Sequence, residues 1–280
     1  MFHKFIKYNT EQDILIIDFS HLLYRNLHIA KEKENHFDFL THLILNSIIY
    51  TIEQFPTIKK VILALDDKNC WRKEIYPEYK GNRKEKRDES DIDFDKLFEF
   101  INILIEDLKV FPFKIIKEYN CEADDIIAIL CKHIKDPIII LSSDKDFTQL
   151  LKYKNVKLYD GIAKKFIKCE NVELWKWVKM CIGDSGDNVP GIQKGFGPKT
   201  AEKHFGIGIP SNLKEVFKRN QKLMDLDLVP EQYENNIMES YKNYKMEYIF
   251  DKVIEFFKKY KLNQFLKFQN FTENILRNLI

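Results

Sequence analysis

The stretch CEADDIIAILCKHIKDPIIILSSDKDF, Cys121 to Phe147, decides the fold, because it sets five acidic side chains at two points on either side of an apolar segment. Ile138 to Leu141 is short, wholly apolar and β-branched, the pattern of a strand buried on both faces. Asp144 and Asp146 then follow at its carboxyl end, where open α/β sheets place their sites. Glu122, Asp124 and Asp125 open a helix in which Ala123, Ile127, Leu130 and Ile134 recur at helical spacing. Acids in a first helical turn are commonly caps, and the helix dipole favours them there. Three exceed what capping needs, and crowded carboxylates call for cations, so the pattern points to divalent metal.

Working outward, Ile14 to Ile17 is another apolar run that stops at an acid, Asp18, and Val61 to Leu65 is a third, ending in Asp66-Asp67. A helix over His36 to Ile52 separates those two runs and another over Asp93 to Val110 follows. A further strand is predicted at Lys114 to Lys117. Buried strands that alternate with helices imply a mostly parallel sheet. One aspartate after a strand is usually a cap or turn residue; the repetition of the pattern is what argues for a site.

Between Arg72 and Arg87 the chain carries seven Arg or Lys against three Glu, interleaved with Tyr76 and Tyr79 and preceded by Trp71. Cations for phosphates beside aromatic faces for bases suit a single-stranded nucleic-acid site; a solvated lysine-rich loop is the plain alternative. Beyond strands at Val156 to Tyr159 and Lys165 to Ile167 and a helix at Leu174 to Cys181 lie Asp184 and Asp187. The glycine-punctuated turn Gly191 to Gly197 then leads to Pro198-Lys199-Thr200, a helix start. Gly191, Gly195 and Gly197 let backbone approach a ligand, and amides at the helix start, with Lys199 and Thr200, suit a phosphate.

Lys plus Arg at 45 and Asp plus Glu at 43 nearly cancel, so net charge alone names no partner. Five dispersed cysteines without a CxxC pair fit reduced thiols rather than disulfides or zinc. No apolar run approaches the ~20 residues of a membrane span, and MFHKFIKYNTEQD lacks the apolar stretch of a signal peptide. The expectation is a cytoplasmic monomer, in the host cytoplasm if viral, that makes no membrane contact.

In order along the chain, Ile17-Asp18, Leu65-Asp66, Tyr79-Lys80-Gly81-Asn82-Arg83, Glu122-Ala123-Asp124-Asp125, Ser143-Asp144-Lys145-Asp146 and Gly183-Asp184-Ser185-Gly186-Asp187-Asn188 resemble the motifs of the 5′-nuclease superfamily. That family includes flap endonucleases and the 5′→3′ exonuclease domain of bacterial DNA polymerase I. His42 to Ile48 and Ser142 to Leu150 are similar nearly residue for residue to its branch formed by the RNases H of T-even bacteriophages. The resemblance covers roughly residues 13 to 200. It implies a PIN-like α/β core over residues 1–172 with an arch segment at about 70–95. A helical region over 173–280 would follow, with a helix-3-turn-helix duplex-binding unit at about 176–206.

Carried over by position, the resemblance assigns one metal group to Asp18, Asp66, Glu122 and Asp124, and a looser one to Asp144, Asp146, Asp184 and Asp187. Asp125 falls between the two sets. Lys80 and Arg83 match residues that contact the scissile phosphate and act in catalysis; Tyr79 matches an aromatic that stacks on a terminal base, and Arg72 joins them on the nucleic-acid face. Two Mg²⁺ ions about 4 Å apart would generate hydroxide, neutralise the phosphate and stabilise the leaving oxygen, with Mn²⁺ able to substitute. The implied activity is 5′→3′ exonuclease or flap-endonuclease cleavage of RNA or DNA paired to DNA, at 5′ flaps, nicks and primer ends. Implied partners are a sliding clamp and a single-stranded DNA-binding protein, sought in the C-terminal region and its tail Phe271 to Ile280. Residues 191–197 form a turn one residue longer than the family's usual form, which bears on its potassium site. The alternatives are a PIN-type ribonuclease, a phosphatase built on Asp144-Lys145-Asp146, or a DNA-junction-binding protein without catalysis.

Overall fold

The computed structural model describes residues 12–33 and 36–279, so the reading of the first eleven residues and of Ile280 lies outside the described part. In chain order the elements are β1 (Asp13–Asp18), α1 (Phe19–Ala30), α2 (His36–Gln54), β2 (Ile58–Leu65), α3 (Arg72–Ile75), α4 (Asn82–Asp88), α5 (Phe94–Leu108), β3 (Phe113–Lys117), α6 (Ala123–His133) and β4 (Ile138–Leu141). A 3₁₀ helix (Lys145–Lys152), β5 (Val156–Asp160), β6 (Lys165–Ile167), α7 (Val172–Ile182), β7 (Gly183–Asp184), β8 (Val189–Pro190) and α8 (Pro198–His204) follow. The chain ends in α9 (Lys214–Met224), α10 (Glu231–Asn243), α11 (Phe250–Lys259), α12 (Asn263–Lys267) and α13 (Gln269–Arg277).

The main sheet has the order β3-β2-β1-β4-β5-β6, parallel except where β6 runs antiparallel to β5. From β1 the chain first builds outward through β2 and β3, then crosses to the other side of β1 to lay down β4. The β1/β4 boundary is therefore a topological switch point, with its crevice at the carboxyl ends of the strands. Ile17 pairs with Leu63 on one side and Leu141 on the other, so Asp18 emerges between the ends of β2 and β4.

Period-2 alternation explains why the strands read as unbroken apolar runs. Leu15, Ile17, Leu63, Phe113 and Leu141 face a core shared with α1, α2, α5 and the C-terminal helices. Ile14, Ile16, Ile62, Ile116 and Ile140 face the opposite core, covered by α6, the 3₁₀ helix and α10. Between α9 and α10 lies a 3₁₀ turn, Leu226–Leu228, whose Leu226 seals that second core. Leu276 and Leu279 are buried in the first core, so the tail packs onto the sheet's helices instead of hanging free. The expected helix-turn-helix is α7 and α8, joined through the short β7–β8 hairpin and the glycine turn. No helix among the described residues is long and apolar enough to cross a membrane.

Candidate active site

The acids at the switch point brace helix starts and still keep carboxylate oxygens free. Asp18 caps α1 by accepting from the His21 amide at 3.0 Å. Asp66 accepts from the Ala123 amide at 2.8 Å and so ties the first turn of α6 to the end of β2. Asp144 caps the 3₁₀ helix by accepting from the Asp146 amide at 2.8 Å. Among the described contacts each of these three spends one carboxylate oxygen and leaves the other without a partner. Asp124, in the first turn of α6, makes no hydrogen bond or ion pair there.

These groups repel one another. Burial, then the neighbouring Asp66 and Asp144, pushes the Asp18 carboxyl up to about 7. Burial, followed by Asp144, Asp18 and Glu122, drives Asp124 well above the usual carboxylate range. Among the described residues no three His, Cys, Asp or Glu side chains converge closely enough to hold an ion as they stand. What fits a divalent cation is the donor chemistry: oxygen alone, in surplus, at a point short of positive charge, which suits a hard ion such as Mg²⁺.

Around this centre, carboxylates are matched by basic side chains. Glu122 takes Lys80 on one oxygen; Arg72 at 3.0 Å and the Tyr79 hydroxyl at 3.1 Å share the other. Burial alone would raise its pKa, but Lys80 and Arg72 override burial and hold it at about 2. Asp187 accepts from Arg83 at 2.8 Å and lies 3.8 Å from Lys80. Asp146 and Asp184 share the Lys179 ammonium, at 2.7 and 2.6 Å. Burial still lifts Asp146 to about 6 against that lysine. Asp184 is less deeply buried, and Lys179 with two backbone amides outweighs the burial and holds it below its ordinary value.

Two residues expected at the nucleic-acid face lie inside the protein. Arg72 is 2% exposed, gripped by Asp125 at 2.7 and 3.0 Å and by the Leu223 carbonyl at 2.7 Å. A guanidinium so enclosed cannot reach a phosphate without exposing Asp125; its role is to anchor the segment to α6 and α9. Tyr79 is 3% exposed with its hydroxyl between Glu122 and Asp187, so no ring face is open for a base to stack on. Asp125, fully buried, completes a capping box with Glu122 and accepts from the Trp71 indole at 3.1 Å, which turns it away from the free carboxylates. The segment expected to form the arch contains the short helices α3 and α4, and Arg83 is one of its outward cations, 54% exposed beside Asp187. Gly191 is tight for a structural reason: a Cβ there would come within 2.8 Å of the Ile182 carbonyl. Gly195 has φ +83° and, like Gly197, open space beside it, while Lys199 and Thr200 begin α8 with Lys199 exposed.

Sequence reasoning did not find Lys179, nor the pair His21 Nε2 and Ser143 Oγ, 2.7 Å apart beside Asp18 and Asp144. The only signals available were a lysine five positions before Asp184 and a histidine three after Asp18.

The raised carboxyls set a pH dependence. A folded pKa above the unfolded value means the folded state holds protons more strongly, so the stability is present at low pH and lost as pH rises through that window. For Asp18 the window runs from its ordinary value, 3.8, to about 7, and for Asp146 to about 6. Ion-free protein is expected to melt higher near about pH 5.5 than near about pH 7.5, and saturating Ca²⁺ to remove most of the difference. A melting temperature indifferent to both would contradict this electrostatic picture.

Comparison with known proteins gives four findings. A family model described as the 5′-3′ exonuclease, N-terminal resolvase-like domain matches residues 13–176. The ribonuclease H of Enterobacteria phage T4 is 31% identical over 270 residues, covering 84% of this chain and 88% of that protein. A 5′-3′ exonuclease of Mycoplasmopsis pulmonis is 30% identical over 231 residues, covering 78% of this chain and 71% of that protein. Among solved structures, the T5 5′-exonuclease with bound zinc superposes with a TM-score of 0.65 at 24% identity, over 89% of this chain and 98% of that one, a likeness of fold.

Proposed function

The chain belongs to the 5′-3′ exonuclease family of the 5′-nuclease superfamily, and on that premise we propose that it hydrolyses phosphodiesters near the 5′ end of RNA or DNA paired to DNA, at flaps, nicks and primer ends. The observation that carries the reading is the set of strand-end aspartates, Asp18, Asp66 and Asp144, each with an oxygen to spare around the unpartnered Asp124. Two Mg²⁺ ions, or Mn²⁺ in their place, would be held by Asp18, Asp66, Glu122 and Asp124 and by Asp144, Asp146, Asp184 and Asp187; when bound they supply an activated water and neutralise the phosphate. A K⁺ ion at the turn 191–197 is the corresponding proposal for the duplex-binding unit.

The protein's own residues do the rest. Lys80 is held at the site by Glu122 and by its amide, which donates to the Asp187 carbonyl at 2.8 Å. An incoming phosphate competes with Glu122 for that ammonium, freeing the carboxylate as the phosphate gains a cation. Arg83 makes the same exchange with Asp187 at the solvent edge. Lys80→Ala is expected to lower single-turnover cleavage about 10²- to 10³-fold, with flap affinity changed much less; an equal loss of affinity and rate would make Lys80 a binding residue only. The reaction should release 5′-phosphate and 3′-hydroxyl ends, with the terminal nucleotides unpaired to reach the site. Replication partners such as a sliding clamp or a single-stranded DNA-binding protein would be sought near the exposed Phe268 and Phe271 at the start of α13.

A cleavage ladder on matched single-stranded, nicked, flapped and RNA-primed substrates tests the proposal. Cutting confined to the 5′ region of the paired substrates is expected; preference for free single-stranded RNA would replace this reading with that of a PIN-type ribonuclease.

A further inference from the structure

We propose that the hydrogen-bonded pair of His21 and Ser143 is a positioning latch, which sets the spacing between Asp18 and Asp144 and, through them, between the two cation-holding groups. The proposal rests on the nuclease reading above for the ions those groups hold. His21 lies in the first turn of α1 and Ser143 immediately before Asp144, and both residues are half-buried. Each half of the latch is tied to one of the acids: the His21 amide donates to Asp18 at 3.0 Å, and Ser143 is joined to Asp144 by a peptide bond.

The place of the contact explains what it does. The parallel ladder between β1 and β4 ends at Ile17 and Leu141. Past that pair the two chain segments part, Asp18 turning into α1 and Ser142 to Asp144 into the 3₁₀ helix. Backbone groups there bond away from β1: the Ser142 amide donates to the Tyr159 carbonyl at 3.2 Å, and the Asp144 amide to Ser142 Oγ at 3.1 Å. Among the described hydrogen bonds, only those of the His21 imidazole cross from α1 to residues 142–146. Without them, the repulsion that Asp144 exerts on Asp18 would act on two segments that no hydrogen bond joins.

Its chemistry suits a latch. The Ser143 amide donates to His21 Nε2 at 3.4 Å, and an amide can only donate, so that nitrogen carries its lone pair. The Ser143 hydroxyl, 2.7 Å from the same nitrogen, then donates to it as well. The lone pair is therefore occupied, turned neither to a cation nor to a water that could be deprotonated. Lys80 and Lys179 hold their acids by charge and occupy carboxylate oxygens that a cation would use. The contact between His21 and Ser143 takes no carboxylate oxygen, so it orders the ligands without competing for them. Groups that orient ligands in this way are typically worth about 10- to 100-fold in metal affinity or activity.

The test compares His21→Leu, His21→Gln and Ser143→Ala with wild type. The Asp18 cap uses the backbone amide of residue 21, so none of these substitutions removes it. Calorimetric titration of DNA-free protein with Ca²⁺ should show His21→Leu binding about 10- to 100-fold more weakly, with its ion-free melting temperature little changed and cleavage of a 5′ flap in Mg²⁺ reduced in step. His21→Gln, which carries an acceptor to about the position of Nε2, should recover most of the loss. Ser143→Ala should weaken binding too, and adding it to His21→Leu should cost little more, since both remove one contact. Undiminished Ca²⁺ affinity in His21→Leu and Ser143→Ala, or losses that add in full, would overturn the latch. So would a pH–rate profile that loses a limb in His21→Leu, which would make the imidazole a proton-transfer group. Should His21→Leu not fold, Ser143→Ala carries the same expectation alone. The calorimetry needs no cutting, so a wild-type protein that binds Ca²⁺ but leaves the flap intact in Mg²⁺ would contradict the nuclease reading while the Ca²⁺ comparison still decides the latch.

Discussion

Asp124→Asn is expected to reduce Mg²⁺-dependent cleavage of a 5′ flap by about 10²- to 10³-fold or more, while the protein folds as well as before or better. The two halves of that expectation have one cause. Asp124 has no partner among the described residues, and burial with Asp144 and Asp18 nearby makes its charge costly. An amide of the same shape removes the repulsion, so the ion-free melting temperature near pH 7.5 should rise. It also removes a negative oxygen from the cation-holding set, so Ca²⁺ should raise the melting temperature of the variant less than that of wild type. A variant that cuts normally, or that unfolds, would show that Asp124 is a structural acid.

Arg72→Leu should act in the opposite way, on stability first. Arg72 and Asp125 are 2% and 0% exposed, and the guanidinium contacts both oxygens of that carboxylate as well as Glu122. Removing one member of a buried pair leaves an uncompensated charge, a cost of about 3–5 kcal/mol. At roughly 2–4 °C per kcal/mol for a chain approaching this size, the melting temperature should fall by about 10 °C. Arg72→Lys should recover little, because a single ammonium cannot reproduce the forked contacts with Asp125 and the Leu223 carbonyl. The double variant Arg72→Leu, Asp125→Asn should regain part of the loss by removing the orphaned charge. Near-wild-type melting of Arg72→Leu with weakened flap binding would instead return Arg72 to the nucleic-acid face.

The contrast between Asp124 and Arg72 shows what a sequence discloses and what it conceals. Strand identity was legible because both faces of the sheet are covered, which makes each run apolar throughout, and because an acid ends each of β1, β2 and β4. Parallel order followed from alternation with helices, and the spacing of Val253, Phe256 and Phe257 makes the apolar face of α11 legible as well. Its destination was not, since an amphipathic face does not say which core it will join. In the basic segment, seven cations look alike on the page. Only the acid 53 residues away at Asp125 decides that Arg72 turns inward, while Arg83 meets Asp187 from the far side of the chain. Tyr79 is concealed for the same reason: its hydroxyl partners, Glu122 and Asp187, are 43 and 108 residues distant. Lys179 could be found only by folding the chain, because Asp146 and Asp184 meet across α7 and the 3₁₀ helix.

The most direct measurement is single-turnover cleavage of a labelled 5′-flap duplex by wild type and Asp146→Asn, in Mg²⁺, in Mn²⁺ and in EDTA. Wild type should cut near the junction with either metal and leave 5′-phosphate and 3′-hydroxyl ends; EDTA should abolish cutting, and Asp146→Asn should lose most of it. A wild-type protein that binds the flap yet never cuts it in Mg²⁺ or Mn²⁺ would contradict the nuclease account, and an Asp146→Asn variant cutting at the wild-type rate would contradict its site.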